Sequence, residues 1–286
     1  MATLAANTYN LKLAFSTWVC PEWTAAAIID GMQSYKYEGV EFRMGKKHLH
    51  GVELDSGADY LADVRKQLDD ANAAVACLAT SFSFSSTDIV DRKKNIDNTK
   101  QALRVAEALG APFVRVFGGE VPAGMEVAGI VDYVSDSLSE LAEYCETNKV
   151  RSTVVVETTG PFAHTKYMSE VMEQIVSPKI AVLWDVMHPL RVLEQADDTF
   201  DALGHHVRHV HVHDAEYNED RTRLKACDPG EGFVPMGEIV DLLKAGLFRG
   251  YLSLEVINRE VDPDTVLPQW ADYLRATIKG KAKVEA

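Results

Sequence analysis

The chain has 286 residues, 47% of them hydrophobic and 25% charged, with a formal net charge of −14. That balance supports a large buried core and argues against a protein that grips nucleic acid, because such affinity comes mainly from Lys and Arg neutralising phosphates. No uncharged apolar stretch approaches the ~20 residues of a membrane span, and the opening MATLAANTYN lacks the basic start and apolar middle of a secretory signal. A cytoplasmic setting and a small, neutral or singly charged substrate are therefore expected. Cys20, Cys77, Cys145 and Cys227 are scattered without a CxxC pair, which predicts free thiols.

In chain order, short β-type runs alternate with amphipathic stretches. The strand candidates are LKLAFSTW (11–18), YEGVEFR (37–43), AVACLATSF (74–82), FVRVFGG (113–119), TVVVET (153–158), IAVLWDV (180–186), RHVHVHD (208–214) and YLSLEVI (251–257). Between the first two, Thr24 can cap AAAIIDGMQSY; after the third, QALRVAEAL is followed by Gly110, suited to a left-handed helix end. From Met125 to Asn148 the apolar Val127, Ile130, Val131, Val134, Leu138 and Leu141 recur at threes and fours, as one buried helical face requires. Eight alternations without a long linker predict one α/β domain spanning 1–286, a (β/α)8 TIM barrel over about residues 11–280 with short tails. A doubly wound sheet is the structural alternative, disfavoured because no GxGxxG follows the first strand.

Four of the later runs reach a metal-capable side chain: Glu157, Asp185, His211 and Glu255. Each lies at or near the C-terminal end of its strand, where parallel barrels build their active sites. Alternation pairs Val155 with Glu157, Leu183 with Asp185, His209 with His211 and Ser253 with Glu255, so each ligand candidate shares a face with a possible barrel-filling residue. Mixed carboxylate and imidazole donors suit one divalent ion such as Mn²⁺, Mg²⁺ or Co²⁺, with zinc also possible, rather than a thiolate-built structural zinc. A glutamate at a strand end can equally serve as an ion-pair partner for the next helix.

Taken together, VVVET, LWDVMH, HVHVHD and PGEGFVPMGEIVDLLKAGLFRGYLSLEV resemble the sugar-phosphate isomerase/epimerase group of xylose isomerase-like barrels. That superfamily also includes AP endonucleases of the endonuclease IV type. The resemblance implies that Glu157, Asp185, His211 and Glu255 hold the metal and that His188, in the DxxH beside Asp185, contacts substrate. It also implies that Glu157 and Glu255 move protons on and off the carbon next to a carbonyl, through a metal-stabilised enediolate. His211 is preferred over His209 and His213 because the family's ligand stands three residues before an Asp, here Asp214; His209 is expected to be a deeper core histidine. Relatives of this kind pair, so a homo-oligomer, dimer or tetramer, is expected.

Weaker candidates for substrate contact are Trp18, with Phe84 as an apolar wall; Glu41 and Arg43 on the rim; and Arg221 and Arg223, with Lys225, in the loop after the seventh strand. Glu231, between Gly230 and Gly232, has no evident role. The same ligand set would serve a lyase or dehydratase acting on a keto-sugar or keto-inositol, since elimination begins with the same proton loss. A metal-free sugar-binding barrel is a further alternative. An endonuclease is disfavoured, because only His48 and His50 are available as extra histidines after the early strands.

Overall fold

The computed structural model describes residues 9–219, 224–256 and 261–280. Eight parallel strands close into a barrel: β1 (Asn10–Ser16), β2 (Gly39–Arg43), β3 (Ala74–Ser83), β4 (Phe113–Phe117), β5 (Thr153–Glu157), β6 (Ile180–Asp185), β7 (Val207–Val212) and, after a two-stranded hairpin of β8 (Ala215–Tyr217) and β9 (Leu224–Ala226), β10 (Arg249–Leu254). β1 pairs with both β2 and β10, so the sheet leaves no open edge. This is the (β/α)8 barrel that the alternation predicted, with strand ends shifted by one to three residues in either direction.

Helices α1 (Ala25–Tyr35), α2 (Ala58–Asp70), α3 (Ile89–Leu109), α4 (Ala128–Thr147), α5 (Thr165–Glu173), the short α6 (His188–Arg191), α7 (Ala196–Leu203), α8 (Met236–Ala245) and α9 (Pro263–Ile278) fill the connections. The local signals act as expected. Thr24 accepts a hydrogen bond from the Ala27 N–H at 3.2 Å, and Gly110 ends α3 at φ 69°. Arg65 reaches across to the carbonyl of Leu109 at 2.8 Å, satisfying an acceptor that the helix end leaves unpaired. On α4, Ile130, Val131, Val134, Leu138 and Leu141 are buried, and Val127 lies half-buried at the helix start. No helix among the described residues is long and apolar enough to cross a membrane.

The main core lies outside the barrel, between strands and helices, and takes one face of each strand: Leu13 and Phe15, Val40 and Phe42, Val114 and Val116, Val154 and Val156, Trp184, Val210 and Val212, Leu252 and Leu254. The other face fills the interior. There, Cys77, Val155, Ala181 and Leu183 form one small apolar cluster, and Ala14, Ala76 and Tyr251 another. Gly39 makes room for Tyr251, since a Cβ there would stand 2.5 Å from its ring. Between Val40 and Glu41 the β2–β3 register slips by one residue of β3, so Ala76 and Cys77 both turn inward.

Candidate metal centre

Strand parity brings Glu157, Asp185, His211 and Glu255 together at the C-terminal mouth: each offers a ligand atom, and these atoms all lie within 4.8 Å of one another. Donors about 2.1 Å from a common ion lie at most ~4.2 Å apart, so small side-chain adjustments close the set. His211 Nδ1 is 3.5 Å from Glu255 Oε2 and 3.8 Å from Glu157 Oε2. All four residues are at most 3% exposed.

Three buried atoms of this group lack any hydrogen-bond partner: Glu157 Oε2, Asp185 Oδ2 and His211 Nδ1. Buried polar atoms are rarely left so, and three that converge are suited to coordinate one ion. Their other atoms are spoken for. Asp185 Oδ1 accepts from the His213 ring at 2.9 Å and from the backbone N–H groups of Met187 and His188 at 3.0 and 3.1 Å, which leaves Oδ2 to face the site. The residues therefore fit one divalent ion held by oxygen donors and one imidazole nitrogen.

Arg115, on β4, supplies a balancing charge: its Nη1 lies 3.1 Å from Glu157 Oε2, and both side chains are buried. A buried ion pair is costly unless well matched, and a divalent ion together with this guanidinium balances the site's carboxylates Glu157, Asp185 and Glu255. Burial raises the Glu157 carboxyl to about 7 despite Arg115 and His211. At Glu255, burial is outweighed by His211 and Arg115, and the carboxyl is held below its usual value. Burial likewise opposes a charged Asp185, yet His188 and His213 keep it far down. At His211 burial disfavours charge, but Glu41 and Glu255 hold the ring well above its ordinary range.

His188 borders the cluster, its Nε2 3.8 Å from both Glu157 Oε1 and Asp185 Oδ2, with 15% of its side chain exposed. Arg191 donates toward its Nδ1 at 3.4 Å, which puts the ring proton on Nε2, facing the mouth. Trp18 lies beyond β1 on a short 3-10 turn, edge-on to His48 at 5.5 Å and with the Arg43 guanidinium over its ring at 5.3 Å.

The other expected contacts fall in different places. Glu41 is not on the rim: it is fully buried below the cluster, against His209 and His211. Arg43 is only 3% exposed and donates to the carbonyls of Met44 and Ala79 and to Ser81 Oγ, so its donors serve the barrel wall. Phe84 is fully buried in the outer core. Arg221 and Arg223 lie outside the described residues.

His48 and His50 belong to a latch. The Val52 N–H donates to His50 Nδ1 at 3.0 Å, so His50 carries its proton on Nε2 and donates to Thr17 Oγ1 at 3.2 Å. Thr17 also accepts from the Arg43 N–H at 2.9 Å.

Two partners escaped the sequence reading. Arg115 was signalled by a lone charge inside the apolar FVRVF; His213, weighed only as a rival ligand, instead orients Asp185. The GEG loop gains its reason from Asp214, whose carboxylate accepts from the N–H groups of Ala215, Gly230, Gly232 and Val234. A Cβ on residue 232 would stand 2.1 Å from Asp214 Oδ1, so glycine is required there; Glu231 is exposed.

Residues 29–277 match the family model described as xylose isomerase-like TIM barrel. The chain belongs to this family. Among characterised proteins it is 22% identical over 252 residues to fructoselysine 3-epimerase of Escherichia coli O157:H7, covering 85% of this chain and 89% of that protein. Among solved structures, a 3-keto-D-glucoside 4-epimerase from E. coli superposes with a TM-score of 0.74 at 15% identity, covering 93% of this chain and all of that one. The IOLI protein, crystallised with a zinc atom, superposes at 0.77 and 16% identity, covering 95% and 99%. At these identities the solved structures establish the shared fold.

Proposed function

We propose that this chain is a divalent-metal-dependent epimerase or isomerase acting on a ketose, sugar phosphate or related keto acid. The observation that carries the reading is the convergence of Glu157 Oε2, Asp185 Oδ2 and His211 Nδ1, three buried atoms that make no hydrogen bond, beside Glu255 in the barrel mouth, with Arg115 as the ion-pair partner of Glu157. Fructoselysine 3-epimerase and the 3-keto-D-glucoside 4-epimerase among the relatives support the same chemistry, and the zinc atom bound by the IOLI protein supports a metal in a barrel of this kind.

Glu157, Asp185, His211 and Glu255 would hold the ion. When bound, it polarises substrate oxygens and offsets the negative charge that develops as a proton leaves carbon. Glu157 and Glu255 rise from β5 and from the end of β10, separate staves of the barrel, so the two carboxylates reach the mouth from different sides. One takes the proton beside the carbonyl, giving an enediolate, and the other returns one from the opposite face, which inverts the carbon. His188 Nε2–H is placed to donate to a substrate oxygen, and Trp18 offers an apolar surface at the rim.

The test is incubation of metal-stripped protein, reloaded with Mn²⁺, with a panel of ketoses and 3-keto sugars in deuterated water. Deuterium should enter the carbon next to the carbonyl and an epimer should accumulate. An unsaturated product would reassign the enzyme as a lyase on the same site. Absence of exchange over the whole panel would contradict the proposal.

A further inference from the structure

Beneath the four candidate ligands lies a carboxylate that no substrate can reach. Glu41 is fully buried on β2, at the point where the β2–β3 register slips, and it faces two imidazoles together. Its Oε2 is 2.8 Å from His209 Nε2 and 2.9 Å from His211 Nε2, its Oε1 is 3.1 Å from His211 Nε2, and Ser253 Oγ stands 3.4 Å from Oε2. We propose that Glu41 is a positioning residue that fixes the proton of His211 on Nε2 and thereby aims its bare Nδ1 at the metal. This role rests on the metal-dependent reading above.

The argument is one of donor and acceptor supply. An ionised carboxylate only accepts, so both rings must bring N–H to it, and each therefore carries its proton on Nε2. Nδ1 is then the atom of each ring left without a hydrogen-bond partner, and on His211 it becomes the lone-pair ligand as an ion displaces any proton it holds. For His211 that atom lies within 3.8 Å of Glu157 and Glu255, at the ion's expected place; for His209 it lies deeper in the barrel. A carboxylate behind a ligating histidine orients the ring and raises its basicity, and losing such a partner weakens metal affinity about 10–100-fold. Ordinary core packing does not require an acid here, since the neighbouring interior positions are filled by Cys77, Val155 and Leu183.

Glu41 also forms, with Cys77 and His209, a second group whose ligand atoms lie within 4.8 Å of one another. The carboxylate's engagement with both rings argues that it serves His211 rather than an ion of its own. Zinc stoichiometry separates the two uses.

The experiment compares wild type, Glu41→Gln, Glu41→Ala and Cys77→Ser as metal-free protein titrated with zinc. Nitrogen-15 NMR of the zinc-loaded rings and thermal unfolding of the metal-free proteins accompany it. Glutamine is neutral and has one acceptor oxygen where Glu41 has two, so it removes the charge that raises the basicity of His211 and leaves an NH2 that cannot accept from a ring. Expected are one zinc per wild-type chain, protons on Nε2 of both His209 and His211, and about 10–100-fold weaker zinc binding in both Glu41 variants. Zinc binding unaltered in Glu41→Gln overturns the role while leaving the proposed function standing. A wild type that takes up no zinc or Mn²⁺ overturns both. A second zinc lost in Cys77→Ser would assign Glu41 to a separate site. Should the variants not fold, the loaded wild type still decides, because a proton on Nδ1 of His211 contradicts the proposal.

Discussion

The two faces of each barrel strand obey different rules. Outward, β1, β5, β7 and β10 present Leu13 and Phe15, Val154 and Val156, Val210 and Val212, Leu252 and Leu254, all buried in one apolar layer against the helices. Inward, the same strands or the residues just past them carry Ser16, Glu157, His209, His211, Ser253 and Glu255, equally buried yet polar. With a side-chain period of two, one residue's shift in register would exchange these sets. The hydrophobic layer can thus supply stability while the interior holds charges that burial disfavours and that only pairing or an ion makes tolerable.

This division is broken most severely from the inside. Replacing Glu255 by Gln should lower deuterium exchange into substrate by about 10²–10⁴-fold, the range for a positioned acid or base, with the thermal midpoint nearly unchanged. Equal losses of rate and of stability would show that the interior is structural after all. From the outside, Leu138→Ala, fully buried on α4, should cost about 2–5 kcal/mol in denaturant unfolding while exchange per folded molecule stays at the wild-type rate.

A smaller effect comes from pH. Glu157, raised to about 7 by burial, and His211, held above its ordinary value by Glu41 and Glu255 against burial, must both lose protons when an ion binds. Metal affinity should therefore fall as pH drops through 7, by about tenfold per pH unit for each proton displaced, and level off at higher pH. Titration calorimetry at several pH values reads this directly, and an affinity independent of pH between 6 and 8 would contradict the ligand assignment. Smallest is Thr24→Ala, which removes the α1 cap and should cost about 1 kcal/mol without altering metal affinity.

How much of this was legible in the sequence follows from the same division. The barrel and the convergence of the four candidate ligands could be read because strand parity and strand ends are local properties, visible in TVVVE and IAVLWD. Glu41 was misplaced on the rim because GVEFR does not reveal how deep its strand sits, and the β3 register slip that levels Glu41 with Cys77 leaves no mark in the local pattern. Arg115 pairs with a residue 42 positions later, a contact that only closure of the barrel creates. Asp214 and the GEG loop were noticed as a pattern, but their reason, one carboxylate accepting from four backbone N–H groups, is three-dimensional.

The most direct measurement is anomalous diffraction from a crystal of the Mn²⁺-loaded protein, collected to locate the ion. The account predicts a single peak in the barrel mouth within about 2.3 Å of Glu157, Asp185, Glu255 and His211 Nδ1. A peak bound instead by Glu41, Cys77 and His209, or no peak among these side chains, would contradict it.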